Sequence, residues 1–136
     1  MTTGRTCDAS ALVAMLVDGG AAGDWTTGEL SAAGNLFAPH LALFEVANIL
    51  RRHQLAQIIT ADQAAEAHTD LLDLPIDLWP YELLAQRAWQ LRANLSVYDG
   101  ACVALAELTE TTLVTLDARI ARAPNVRCSI ATPSQV

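Results

Sequence analysis

An α/β domain of three layers, with a short-stranded and mainly parallel sheet held between helices, is the fold class this sequence predicts. Three observations carry the prediction. Short apolar or β-branched runs alternate with helical ones along the chain, which implies parallel strand pairing through right-handed crossovers with helices on both faces. A length of 136 residues matches one domain with its own core, so 1–136 reads as a single unit. A composition of 52% hydrophobic and 17% charged residues is too apolar for a disordered chain and too irregular for a coiled coil.

The elements follow in order. Arg5 to Asp8 reads as a brief strand, and a helix runs from about Ser10 to Val17. A small loop over Asp18 to Gly23 precedes a weaker helical stretch from Asp24 to Ala33. Asn35 to Ala38 forms a second short strand closed by Pro39. From Leu41 to about Leu55, Leu43, Val46, Ala47 and Leu50 recur at spacings of three and four, the pattern of a buried helix face. Thr60 and Gln63 form the T-x-x-Q signature of a capping box, so a helix starts at Thr60, and Pro75 marks its end. Ile76 to Leu78 is a candidate strand, and Tyr81 to Asn94 and Ser96 to Leu108 are helices. Thr112 to Leu116 is the clearest strand, followed by a short helix from Asp117 to Ala123 and an edge strand over Arg127 to Ile130.

Composition excludes several chemistries. The 8 basic residues are all Arg. With no Lys there is no Schiff-base enzyme, no P-loop Lys and no phospho-receiver signalling site. Cys7, Cys102 and Cys128 are odd in number and widely spaced, which argues against a disulfide framework or a zinc site and makes them small core residues. The longest apolar run, Ala11 to Val17, falls far short of the roughly 18 to 20 residues that span a bilayer. Asp8 and Asp18 interrupt and close the first apolar segment too early for a secretory signal, so a cytoplasmic location is expected. The net charge of −7 repels phosphate backbones at long range, so a nucleic-acid role would require a local Arg patch or bound cations. Arg51, Arg52, Arg87, Arg92, Arg119 and Arg122 are the candidates for such a patch; the bland alternative is solvated surface charge.

Four acids stand out. Asp8 and Asp117 lie at strand exits, where a parallel sheet builds its ligand crevice; an Asp there also commonly caps the following helix. Glu45 lies inside an apolar helix, an expensive place for a carboxylate unless it pairs with Arg52 or holds a metal. Asn48 shares its face. Asp99 closes the S-x-x-D capping signal that starts at Ser96. Clustered carboxylates raise one another's pKa unless a cation neutralises them. With no His or Cys beside them, as His40, His53 and His68 are scattered, an oxygen-only site suits Mg²⁺ or Mn²⁺.

Taken together these residues resemble the PIN-domain ribonucleases, and specifically the VapC-type toxins of toxin–antitoxin pairs. The resemblance rests on Asp8-Ala9-Ser10 after the first strand, Glu45-Val46-Ala47-Asn48 followed by Arg51-Arg52, Tyr98-Asp99 opening an Ala-rich helix, and Thr115-Leu116-Asp117 after the last clear strand. Gly100, where Ala is common in the family, is a small departure. The resemblance implies a PIN-like fold and Mg²⁺- or Mn²⁺-dependent cleavage of RNA, with Asp8, Asp99 and Asp117 binding metal and Glu45 holding a second ion or orienting water. It further implies that Ser10 and Thr115 support the aspartates and that Asn48 orders Glu45 or contacts substrate. The partners it implies are RNA, a VapB-like antitoxin and a second copy in a homodimer. Trp25, Leu71 and Leu72 are candidate groove residues for an antitoxin helix, or else core. The alternatives are an RNA-processing PIN nuclease without an antitoxin and a catalytically silent metal-binding module.

Overall fold

The computed structural model describes residues 3–133. Five short strands, β1 (Arg5–Cys7), β2 (Leu36–Pro39), β3 (Ile76–Trp79), β4 (Thr112–Val114) and β5 (Ile130–Ala131), form one sheet in the order β3-β2-β1-β4-β5. Every pairing is parallel, with Arg5 opposite both Leu36 and Thr112. The chain builds outward from β1 through β2 to β3, then crosses to the other side of β1 to lay down β4. That reversal makes the carboxyl ends of β1 and β4 the switch point where α/β sheets open a crevice. Asp8 and Asp117 follow those two strands.

Helices α1 (Ala9–Val17), α2 (Ala21–Ser31), α3 (Leu41–Leu55) and α4 (Ala61–Asp73) pack together, with Leu12, Leu30, Val46, Leu50 and Leu71 in one buried cluster. Helices α5 (Ala85–Gln90) and α6 (Val97–Thr109) pack against each other, and their buried residues fall into two further clusters, around Leu84 and Leu105 and around Val103 and Leu113. A final short helix, α7 (Ala118–Arg122), buries Ile120 in the latter. Residues 100–106 of α6 are buried without a break. A helix enclosed on all sides needs small side chains, and Gly100, Ala101, Cys102, Ala104 and Ala106 supply them. Gly100 is a close approach: a Cβ there would lie 3.1 Å from the Ala88 carbonyl oxygen of α5. Cys7 and Cys102 are buried core residues, whereas Cys128 is half-buried.

Local signals hold where the partners are close in sequence. The Thr60 capping box forms in full, Gln63 N–H donating to Thr60 Oγ1 at 3.0 Å and Thr60 N–H to Gln63 Oε1 at 2.8 Å. Elsewhere the boundaries move. α2 begins at Ala21, not Asp24, because Gly23 sits inside its first turn against the Asp18 carbonyl, where a Cβ would lie 1.8 Å from that oxygen. The predicted helix over Tyr81 to Asn94 is a 3₁₀ turn at Tyr81–Leu83, the six-residue α5, and tight turns through Asn94. β4 stops at Val114: Thr115 N–H still donates to the Ala131 carbonyl at 3.1 Å, but the amides after it go to side chains, Leu116 N–H to Ser10 Oγ at 3.1 Å and Asp117 N–H to Thr115 Oγ1 at 3.0 Å. The edge strand is Ile130–Ala131 and not Arg127 to Ile130, since Arg127 N–H is claimed by Glu107 Oε2 at 2.8 Å. No helix among the described residues is long and apolar enough to cross a membrane.

Candidate active site

Asp8 leaves β1 directly into α1, and its carboxylate is buried where the two meet. Oδ1 accepts from Ser10 Oγ at 2.6 Å and Ala11 N–H at 2.9 Å, and Oδ2 accepts from Thr115 Oγ1 at 2.5 Å. The Ala11 bond is the helix cap expected of an Asp in that position. Capping and site geometry are therefore one arrangement. Thr115 reaches Asp8 from 107 residues away, just beyond β4. Burial pushes the Asp8 carboxyl above its ordinary pKa; the bonds from Ser10, Thr115 and Ala11 oppose the shift, and the Asp117 charge adds to it.

The other acids surround it. Glu45 is raised by burial and by the charges of Asp8 and Asp99. Asp99, in the first turn of α6 with its N–H donating to Ser96 Oγ at 3.1 Å, is raised by burial; a Ser96 bond opposes this, Asp8 and Asp117 repel it, and Arg119 draws it back. Asp117 caps α7 by accepting Arg119 N–H at 3.0 Å. It is lowered, first by the side-chain bonds from Arg119, which outweigh its slight burial. The charge of Asp8 thus reaches Glu45 and Asp99, that of Asp99 reaches Glu45, and that of Asp117 reaches Asp8 and Asp99.

No three Asp, Glu, His or Cys side chains among the described residues are gathered closely enough to hold a cation as they stand. The chemistry of the donor set nevertheless fits a hard divalent ion. The donors are all carboxylate oxygens, and three of the four acids are held above their ordinary pKa partly by mutual repulsion.

Glu45 also opens outward. It borders a cleft of about 780 Å³ with Phe44, Tyr81 and Tyr98, and a second of about 500 Å³ with Asn48, Arg52 and Tyr98. Arg52 shares this second cleft but forms no ion pair with Glu45; the ion pairs among the described residues are Arg87–Glu107 and Arg119–Asp117. Of the other candidate cations, Arg87 is tied to Glu107 and Arg92 lies over the Trp89 ring at 4.4 Å. Leu71 is core, Trp25 is half-buried against that core, and Leu72 is exposed. Arg119 is one of several candidate basic residues in the sequence, and its position two residues after Asp117 is the signal for its pairing.

A sheet with this switch point and acids at its carboxyl edge is the architecture of the PIN domain, whose family model matches residues 6–126. This chain belongs to the PIN-domain family. It is 37% identical over 123 residues to ribonuclease VapC9 of Mycobacterium tuberculosis, spanning 90% of this chain and 93% of that protein. With ribonuclease VapC1 of the same organism it shares 38% identity over 124 residues, 90% of this chain and 92% of the relative. The fold is also that of VapBC-5 from Mycobacterium tuberculosis, a member of the VapBC family of toxin–antitoxin systems. The match has a TM-score of 0.60 and 16% identity, and covers 96% of this chain and 97% of that one.

Proposed function

We propose that this protein is a divalent-metal-dependent endoribonuclease of the VapC type, restrained by a VapB-like antitoxin. The observation that carries the proposal is the electrostatic coupling of Asp8, Glu45, Asp99 and Asp117 at the sheet's switch point, in a chain more than a third identical to named VapC ribonucleases. Asp8, Glu45, Asp99 and Asp117 would hold Mg²⁺ or Mn²⁺, which when bound supplies a Lewis acid for the phosphate and lowers the pKa of water.

The protein's own groups do the rest. Ser10 and Thr115 fix both oxygens of Asp8, so that carboxylate is set before substrate arrives. Glu45, at the mouth of two clefts, orients the water that attacks phosphorus. Asn48, exposed one turn along α3, contacts the substrate strand. Attack by water makes the 2′-hydroxyl unnecessary and leaves a 5′-phosphate and a 3′-hydroxyl. The antitoxin assignment draws support from the VapBC neighbour, and a homodimer belongs to the same reading.

The test is cleavage of a structured RNA pool by purified, antitoxin-free protein with Mg²⁺ or Mn²⁺, beside Asp8→Asn and an EDTA control. Cuts with 5′-phosphate ends should appear only in the wild-type, metal-containing reaction. Equal cleavage by Asp8→Asn or in EDTA, or none at all, would refute the proposal.

A further inference from the structure

Arg119 occupies an acid that the proposed function needs. Its Nε donates to Asp117 Oδ1 at 2.9 Å and to Oδ2 at 3.1 Å, its Nη2 also donates to Oδ2, and its backbone N–H donates to Oδ1. Three N–H groups of one residue thus engage both carboxylate oxygens, the Nε hydrogen being shared between them. Its charge also reaches Asp99. In a chain without Lys, Arg119 is thus the cation paired directly with the four-acid site. Yet the side chain is 80% exposed, so little packing holds it in place.

We propose that Arg119 is a displaceable internal counter-ion. It neutralises Asp117 until a divalent cation takes that carboxylate, and the freed guanidinium then binds a phosphate of the RNA entering the same crevice. The inference rests on the ribonuclease reading above. Two physical points support it. A cation must compete with Arg119 for Asp117, because the guanidinium chelates both oxygens of that carboxylate. A planar guanidinium that forks a carboxylate suits phosphate oxygens equally well.

The test is calorimetric titration of the full chain with Mn²⁺, comparing wild type, Arg119→Ala and Arg122→Ala. Arg122 is the matched control, because it lies on the same short helix and its charge reaches Asp117 without a side-chain bond. Losing the competing contact should tighten Mn²⁺ binding about fivefold in Arg119→Ala, against less than about twofold in Arg122→Ala. At saturating Mn²⁺, Arg119→Ala should then raise KM for RNA several-fold with little change in kcat. Equal effects of the two variants on Mn²⁺ affinity would reduce Arg119 to general surface charge and overturn the counter-ion role. An unchanged KM would overturn the phosphate role. Absence of Mn²⁺ binding in all three proteins would instead remove the metal reading on which the inference rests.

Discussion

Replacing Thr115 by Val tests whether the Asp8 carboxylate is held as a charged group. The substitution keeps the side chain's shape and deletes one hydroxyl, which donates to Asp8 Oδ2 at 2.5 Å and accepts Asp117 N–H at 3.0 Å. A buried bond to a charged acceptor is worth about 1.5–3 kcal/mol, and an amide left unpaired costs about 1 kcal/mol more. The buried methyl that replaces the hydroxyl returns roughly 0.8 kcal/mol. The expected net loss is about 2–3 kcal/mol near pH 7, a large share of the roughly 5–15 kcal/mol that holds a domain together. The pH dependence is the sharper test. Asp8 is raised above 3.8 in the fold, so its burial opposes folding while it is ionised and ceases to do so as pH falls through the folded-state value. Thr115 donates to the ionised form. Its loss therefore costs most at neutral pH and least once Asp8 is protonated. Urea unfolding followed by circular dichroism in EDTA, at several pH values from 7 downward, measures this directly. A loss that stays constant with pH would mean that the hydroxyl contributes only its bond from the Asp117 amide, and a loss below about 0.5 kcal/mol would refute the charged-bond argument.

Three further substitutions probe the frame around the site. Glu107→Gln should destabilise by about 1–2 kcal/mol at neutral pH, since Glu107 accepts Arg87 Nε and Arg127 N–H, each at 2.8 Å. Burial pushes Glu107 up, but those bonds and the Arg charges hold it below its ordinary value. Its stabilisation is therefore present above 4.5 and lost as pH falls through the folded-state value, and the melting curves of wild type and variant should converge in acid. Gly100→Ala should lower the melting temperature despite the roughly 1 kcal/mol that Ala gains in a helix, because its Cβ meets the Ala88 carbonyl oxygen at 3.1 Å. Gly28→Ala, in α2 with nothing within 4 Å of its Cβ, should raise the melting temperature. Thermal denaturation of both Gly variants decides the point, and a rise in both would show that α5 yields freely.

Much of this molecule was legible in its sequence because much of its structure is local. Helix faces follow from spacings of three and four, and the Thr60 cap is complete within four residues. The order of strands and helices, the acids at the two strand exits and the acid in an apolar helix can all be read without coordinates. Two misplaced strand boundaries share one cause, which is competition from distant groups for the backbone. β4 falls short of Leu116 because Ser10, 106 residues away, takes the Leu116 amide, and β5 starts late because Glu107 takes the Arg127 amide. Gly100, a small departure from the family's sequence, is in the fold the place where two helices touch. The residue types and their order determined the fold class and named the four acids, because propensity, capping and periodicity act over a few residues. Tertiary structure alone decided that β4 lies beside β1, bringing Thr115 onto Asp8 from 107 residues away; such a contact arises only when the sheet is assembled.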